Sequence, residues 1–120
     1  MNSSHKISIA RDFSTVPLGR FVDDSEFNGT TFREDFLIPA LKDNNLIEID
    51  LDGTEGYGSS FLEEAFGGLI RLHHFNNDEL KRRVKLISNE DPTLIDEIHL
   101  YMAEAIHQTQ SEKKNIQRSK

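Results

Sequence analysis

Three short strand-like apolar runs, each followed by a stretch with helical spacing, constrain this chain more than any other feature. Lys6 to Ala10 alternates polar and apolar residues, with Ile7 and Ile9 on one face. Leu46 to Leu51 is apolar except at Glu48 and Asp50, the pattern of a strand partly covered on both faces. Val84 to Ser88 is the third run. Phe32, Phe36, Leu37, Ala40 and Leu41 recur at helical spacing, and so do Phe61, Leu62, Ala65, Phe66, Leu69, Ile70 and Leu72. Leu94, Ile95, Ile98, Tyr101, Met102, Ala105 and Ile106 make a third helical stripe. This alternation predicts an α/β domain with a mixed, mostly parallel sheet and three main helices. Arg20-Phe21-Val22, set among turn formers, reads as a further short strand, so a sheet of four to five strands is expected.

Local signals place the helix ends. Thr31 with Glu34, and Ser60 with Glu63, read as capping boxes. Asp91 reads as the cap of the last helix, with Pro92 at its first position. Pro39 lies inside the first helical pattern and should kink or shorten it. Gly67-Gly68 lies inside the second, where each glycine costs about 1 kcal/mol relative to alanine and so suggests a close neighbouring backbone. Asp78 to Arg83 fits one helical turn.

With 120 residues the chain fits one domain. The pattern places it at 6–110, after a disordered N-terminus at 1–5 and before a basic, disordered tail at 111–120. There is no Cys, which excludes disulfides, thiolate metal sites and a Cys nucleophile, and suits a cytoplasmic location. No apolar run is long enough to span a bilayer, and the polar start does not read as a signal peptide, so no membrane partner is expected. Residues 1–110 hold 10 basic against 20 acidic side chains, while 111–120 carries a net +3. So acidic a body repels phosphate backbones, which argues against nucleic acid, and favours partners with a basic docking surface.

The stretch from Ile47 to Phe66 is the most informative for function. A strand ends at Asp50-Leu51-Asp52, a loop with Gly53, Gly56 and Gly58 follows, and Ser59-Ser60 opens a helix. Sites in open α/β sheets lie beyond the carboxyl ends of strands, and a helix start suits an anion. Three readings fit: Ser59 or Ser60 accepts a phosphate, the loop holds the phosphate of a nucleotide, or the serines cap the helix. The nucleotide fingerprints are incomplete: Phe61 fills the third glycine's place, and no Gly-Lys-Ser or Gly-Lys-Thr is present. Arg20 and Arg33 are candidates for anion recognition, or for salt bridges to the Asp50 and Asp52 region. His73-His74 point about 100° apart on a helix and chelate poorly, and His99 and His107 are too far apart to share a metal. Glu63 reads as a capping partner and Glu64 as a solvated charge. With no assembled catalytic set, the expectation is no enzyme, no metal and no cofactor; the alternative function is a small nucleotide- or phosphate-ligand-binding domain.

Strand, loop and Ser59-Ser60 resemble the STAS domain, the fold of anti-anti-sigma factors. The bacterial STAS-like domain of unknown function is more similar still. Its matching segments are 7–14, Pro17 to Arg20, Thr31 to Arg33, Ile49 to Gly53 and, most specifically, Gly56-Tyr57-Gly58-Ser59-Ser60-Phe61-Leu62-Glu63-Glu64-Ala65-Phe66-Gly67-Gly68-Leu69. The resemblance implies a STAS-like fold and a protein-interaction module, monomeric or weakly dimeric. Ser59 matches the phosphoacceptor, although Gly58 stands where the motif has Asp and Phe61 where it has Gly. The implied partner is an ATPase-type, histidine-kinase-like serine kinase that also acts as the anti-sigma regulator. The candidate partner- or anion-binding loop is therefore Gly56, Tyr57, Gly58, Ser59 and Ser60, together with Arg20 and Arg33 from the reading of the residues.

Overall fold

The computed structural model describes residues 3–118, with side chains described through residue 108. Strands β1 (Ser4–Ser8), β2 (Leu46–Asp50) and β3 (Val84–Ile87) form one sheet in the order β1-β2-β3, all parallel. Register sets Ile7 beside Ile49 and Ile49 beside Leu86, so an apolar row crosses the sheet. Ile47 and Ile49 are fully buried while Glu48 and Asp50 are half-buried, as the alternation on β2 requires.

The sheet has three strands among the described residues, not four to five, and all pairings are parallel. Arg20-Phe21-Val22 is a turn rather than a strand. Gly19 takes φ +87°, and one Asp24 carboxylate oxygen accepts from the amides of Arg20 (3.1 Å) and Phe21 (2.9 Å). A local side chain thereby satisfies donors that a ladder would have used. β1 also ends earlier than its pattern suggests. Ile9–Phe13 forms a π-helical turn, with the Ser8 hydroxyl accepting from the Arg11 amide and Asp12 accepting from the Ser8 amide.

Two helical rods follow the first two strands. In the first, α1 (Gly29–Phe32) passes through a π-helical turn at Arg33–Leu37 into α2 (Ile38–Asp43). Its cap is Asn28, whose side-chain oxygen accepts from the Thr31 amide at 2.9 Å; Thr31 itself caps nothing. Pro39 does not break the rod. A proline ring presses on the carbonyl four residues back in a regular helix. The wide turn, in which the Ile38 amide reaches the Arg33 carbonyl, comes just before it, and Pro39 sits in the first turn of α2.

The second rod runs from α3 (Ser59–Leu62) through a π-helical turn at Glu63–Gly67 into α4 (Gly68–Arg71). Its cap position is Gly58, with no side-chain cap, so Ser60 and Glu63 do not form a capping box. The close backbone approach occurs at Gly29, where a Cβ would lie 2.7 Å from the Phe61 carbonyl oxygen. Gly68 instead makes room for the Arg33 guanidinium. Leu72, part of the apolar pattern by its spacing, is left exposed at the end of the rod.

Helix α5 (Asn77–Arg83) is capped by Asn76 and is longer than one turn. α6 (Thr93–Arg118) starts after Asp91, which accepts from the Thr93 amide, and its backbone continues into the segment assigned to the tail. Residues 1, 2, 119 and 120, and the side chains of 109–118, lie outside the described residues. Phe13, Phe27, Phe32, Phe36, Phe61 and Phe66 form one ring cluster, with centroids 5.1–6.4 Å apart, that joins the 14–28 loop to both rods. Among the described residues, no helix is long and apolar enough to cross a membrane.

Candidate functional site

Because the three strands are parallel, the loops that leave their carboxyl ends emerge together. Hydrogen bonds lock these loops to one another. The Asp52 carboxylate accepts from the amides of Asn89 and Glu90, each at 2.9 Å, and the Glu90 carboxylate accepts from the Gly53 amide at 2.8 Å. The Glu55 amide donates to the Thr15 carbonyl at 2.8 Å, which ties the second loop to the first. The Tyr57 hydroxyl donates to the Leu51 carbonyl at 2.8 Å, and burial pushes that phenol's pKa up.

Ser59 opens the second rod and is exposed, whereas Ser60 is half-buried. Tyr101 of α6 donates to the Glu97 carboxylate at 2.7 Å, and this bond, with burial, pushes the Tyr101 pKa up to about 12. The nearby Ser59 side chain pulls that pKa in the opposite direction. Ser59 therefore sits at a positive helix tip beside a carboxylate-anchored tyrosine.

Two hollows flank the loop. An apolar groove of about 380 Å³ runs between Val16-Pro17-Leu18 and Gly56-Tyr57-Gly58. A depression of about 330 Å³ shares Glu55 to Tyr57 with it and is lined by the carboxylates of Asp52, Glu90, Asp91 and Glu97. A further hollow of about 550 Å³, between β1 and the first rod, contains none of the sequence-predicted site residues.

The structure gathers Gly56, Tyr57, Gly58, Ser59 and Ser60 on one face, but it uses the two arginines differently from either expectation. Arg33 is 3 % exposed and donates to the Glu64 carbonyl (2.6 Å) and carboxylate (2.9 Å), and to Glu34 (2.7 Å). Arg20 pairs with Glu63, one turn along the rod from Ser59. Neither forms a salt bridge to Asp50 or Asp52 among the described residues. Glu64 is a buried partner, not a solvated charge, and Arg71 joins Glu63 and Glu64 in the same network. The adjacent carboxylates face one site because Arg20 and Arg71 each reach both. His73 lies 2.6 Å from Glu34. Among the described residues, no group of three His, Asp or Glu side chains could hold a metal ion.

Sequence reasoning missed the groove wall at Val16, Pro17 and Leu18. The available signal was three apolar residues between turn formers, too short for either period. It also missed Tyr101 and Glu97, which the helical stripe assigned to packing or left unmarked.

A small parallel sheet with helical rods between its strands, and a serine-bearing helix start beyond the middle strand, defines an α/β domain with two hollows beside its carboxyl-end loops. The chain belongs to the family described as the STAS-like domain of unknown function (DUF4325), whose model matches residues 28–94. That span runs from the Asn28 cap to the first turn of α6. No curated protein and no solved structure matches the chain significantly.

Proposed function

We propose that this chain is a non-catalytic, cytoplasmic regulatory module that binds a protein partner at the carboxyl-end face, with Ser59 as its phosphoacceptor. The observation that carries this reading is the placement of Ser59: exposed, first in its rod, and at the position that matches the STAS phosphoacceptor. The partner is an ATPase-type, histidine-kinase-like serine kinase that doubles as a regulator of the anti-sigma kind. The Ser59 oxygen attacks the γ-phosphorus of ATP, the bond to ADP breaks, and the hydroxyl proton leaves to the kinase. The product carries about −1.5 to −2 charges at pH 7. The helix tip tolerates that charge, and any surface docked over it meets a new anion. Binding is thus switched without refolding.

The test is intact-mass analysis of the full chain after incubation with ATP and a histidine-kinase-like ATPase encoded beside it. One added phosphate is expected, lost in Ser59→Ala and kept in Ser60→Ala. An unmodified 56–66 peptide removes the phosphoacceptor role. Nothing in the arginine geometry favours a nucleotide ligand, since Arg20 and Arg33 are already held by carboxylates. ATP or GTP alone should therefore leave Tm unchanged; a rise with concentration would reverse that choice.

A further inference from the structure

We propose that the apolar groove between Val16-Pro17-Leu18 and Gly56-Tyr57-Gly58 is a docking surface for a basic amphipathic segment of a partner protein. This rests on the reading of the chain as a protein-binding module, but not on modification of Ser59. Single exposed apolar side chains are normal on any protein, whereas clustered ones mark an interaction surface. Of the six large apolar side chains left exposed among the described residues, four fall within the 16–22 segment, and two of these, Val16 (48 %) and Leu18 (57 %), line the groove itself.

This segment is held in place, so its exposure is built in. Pro17 is buried beneath it, the Leu18 amide donates to the Phe27 carbonyl at 3.1 Å, and the Thr15 carbonyl accepts from Glu55. A Cβ on Gly58 would lie 3.2 Å from a Leu18 methyl, so the glycine lets the two walls approach.

Charge decides the occupant. Glu55 lines both the groove and the neighbouring depression, which adds the four carboxylates of Asp52, Glu90, Asp91 and Glu97. No Lys or Arg lines either hollow. Arg20, on the same loop, is held by Glu63. Backbone amides fix the Asp52 and Glu90 carboxylates without cancelling their charge. An apolar side chain seated in the groove with Lys or Arg beside it gains both burial and attraction. Acidic segments and nucleic acid gain repulsion.

The test pans a random-sequence peptide display library on the full chain, unmodified at Ser59, and on a Val16→Asp/Leu18→Asp variant. Both substitutions are at exposed positions, and circular dichroism checks the fold. Recovered peptides are expected to carry Leu, Ile or Phe next to Lys or Arg. A synthetic copy of the dominant peptide should shift the amide NMR signals of 16–18 and 55–58. The double variant should weaken it at least about tenfold. Glu55→Lys and added salt should weaken it further.

Acidic or neutral peptides, or binding unchanged in the variant, overturn the proposal. So does self-association in sedimentation that the same variant abolishes, because the occupant is then a second copy. Peptides that bind elsewhere remove this surface while leaving the protein-binding reading intact; absence of any enriched peptide removes both.

Discussion

Arg33 carries its charge into the contact between the two helical rods, where water does not reach it. Its guanidinium lies against Gly68, and its donors are divided between the Glu64 carbonyl, the Glu64 carboxylate and Glu34. A charge this buried persists because it is paired and hydrogen-bonded; removing one partner leaves the other stranded. Arg33→Met should therefore cost about 3–5 kcal/mol of stability, read from urea unfolding. The double variant Arg33→Met/Glu64→Leu should recover much of that loss, because Glu63 remains to hold Arg20 and Arg71. A single-variant loss below about 1 kcal/mol would place the pair among solvated surface bridges instead. Glu63 and Glu64 looked like a cap and a surface charge because burial depends on what packs above a position, and sequence spacing says nothing of that.

At the level of elements, the two rods differ in how their first turns are satisfied. The first is capped by the buried Asn28, which accepts from Thr31 and donates to the Ser25 carbonyl. The second starts at Gly58 with no side-chain cap. Asn28→Ala should thus cost about 0.5–2 kcal/mol, while Ser60→Ala and Thr31→Ala should each cost only a few tenths. Thermal unfolding of the three variants checks the order. Equal losses at Asn28 and Ser60 would return Ser60 to a capping role and take hydroxyl freedom away from that helix start. A Thr-x-x-Glu spacing at Thr31 and a Ser-x-x-Glu spacing at Ser60 mark the two candidate starts, but a cap also needs extended backbone at the residue itself. Asn28 and Gly58 have it; Thr31 and Ser60 lie inside their helices.

For the molecule as a whole, the groups shifted in the acidic range push stability in one direction. Asp12 is held below its ordinary value of 3.8 by the Ser8 amide and by Arg11. Burial pushes Glu34 up, yet hydrogen bonds from Arg33 and His73 outweigh it, and its pKa falls below 4.5. Both carboxylates contribute stability above their ordinary values that is lost as pH drops through the lowered folded ones. Burial, with Lys81 nearby, lowers the His99 pKa from 6.5, so the unfolded chain takes up that proton first. Its contribution is likewise lost as pH falls below 6.5. The urea midpoint should decline in two stages, below 6.5 and then below 4.5. His99→Asn should flatten the first stage only; an unchanged first stage would assign it to another group.

The strands β2 and β3, the three helical stripes and the serines at a helix start were legible in the order of residues, because period and burial are linked locally. The strand count was not. Arg20-Phe21-Val22 has strand-like composition, but Asp24 and Gly19 satisfy its backbone in a turn. Nor could spacing show that Arg20 and Arg33 would meet Glu63 and Glu64, more than thirty residues away, since those partners meet only when the rods pack. Local periodicity fixed which faces turn inward. Packing of distant segments alone decided which charges are neutralised and which apolar side chains stay open to a partner.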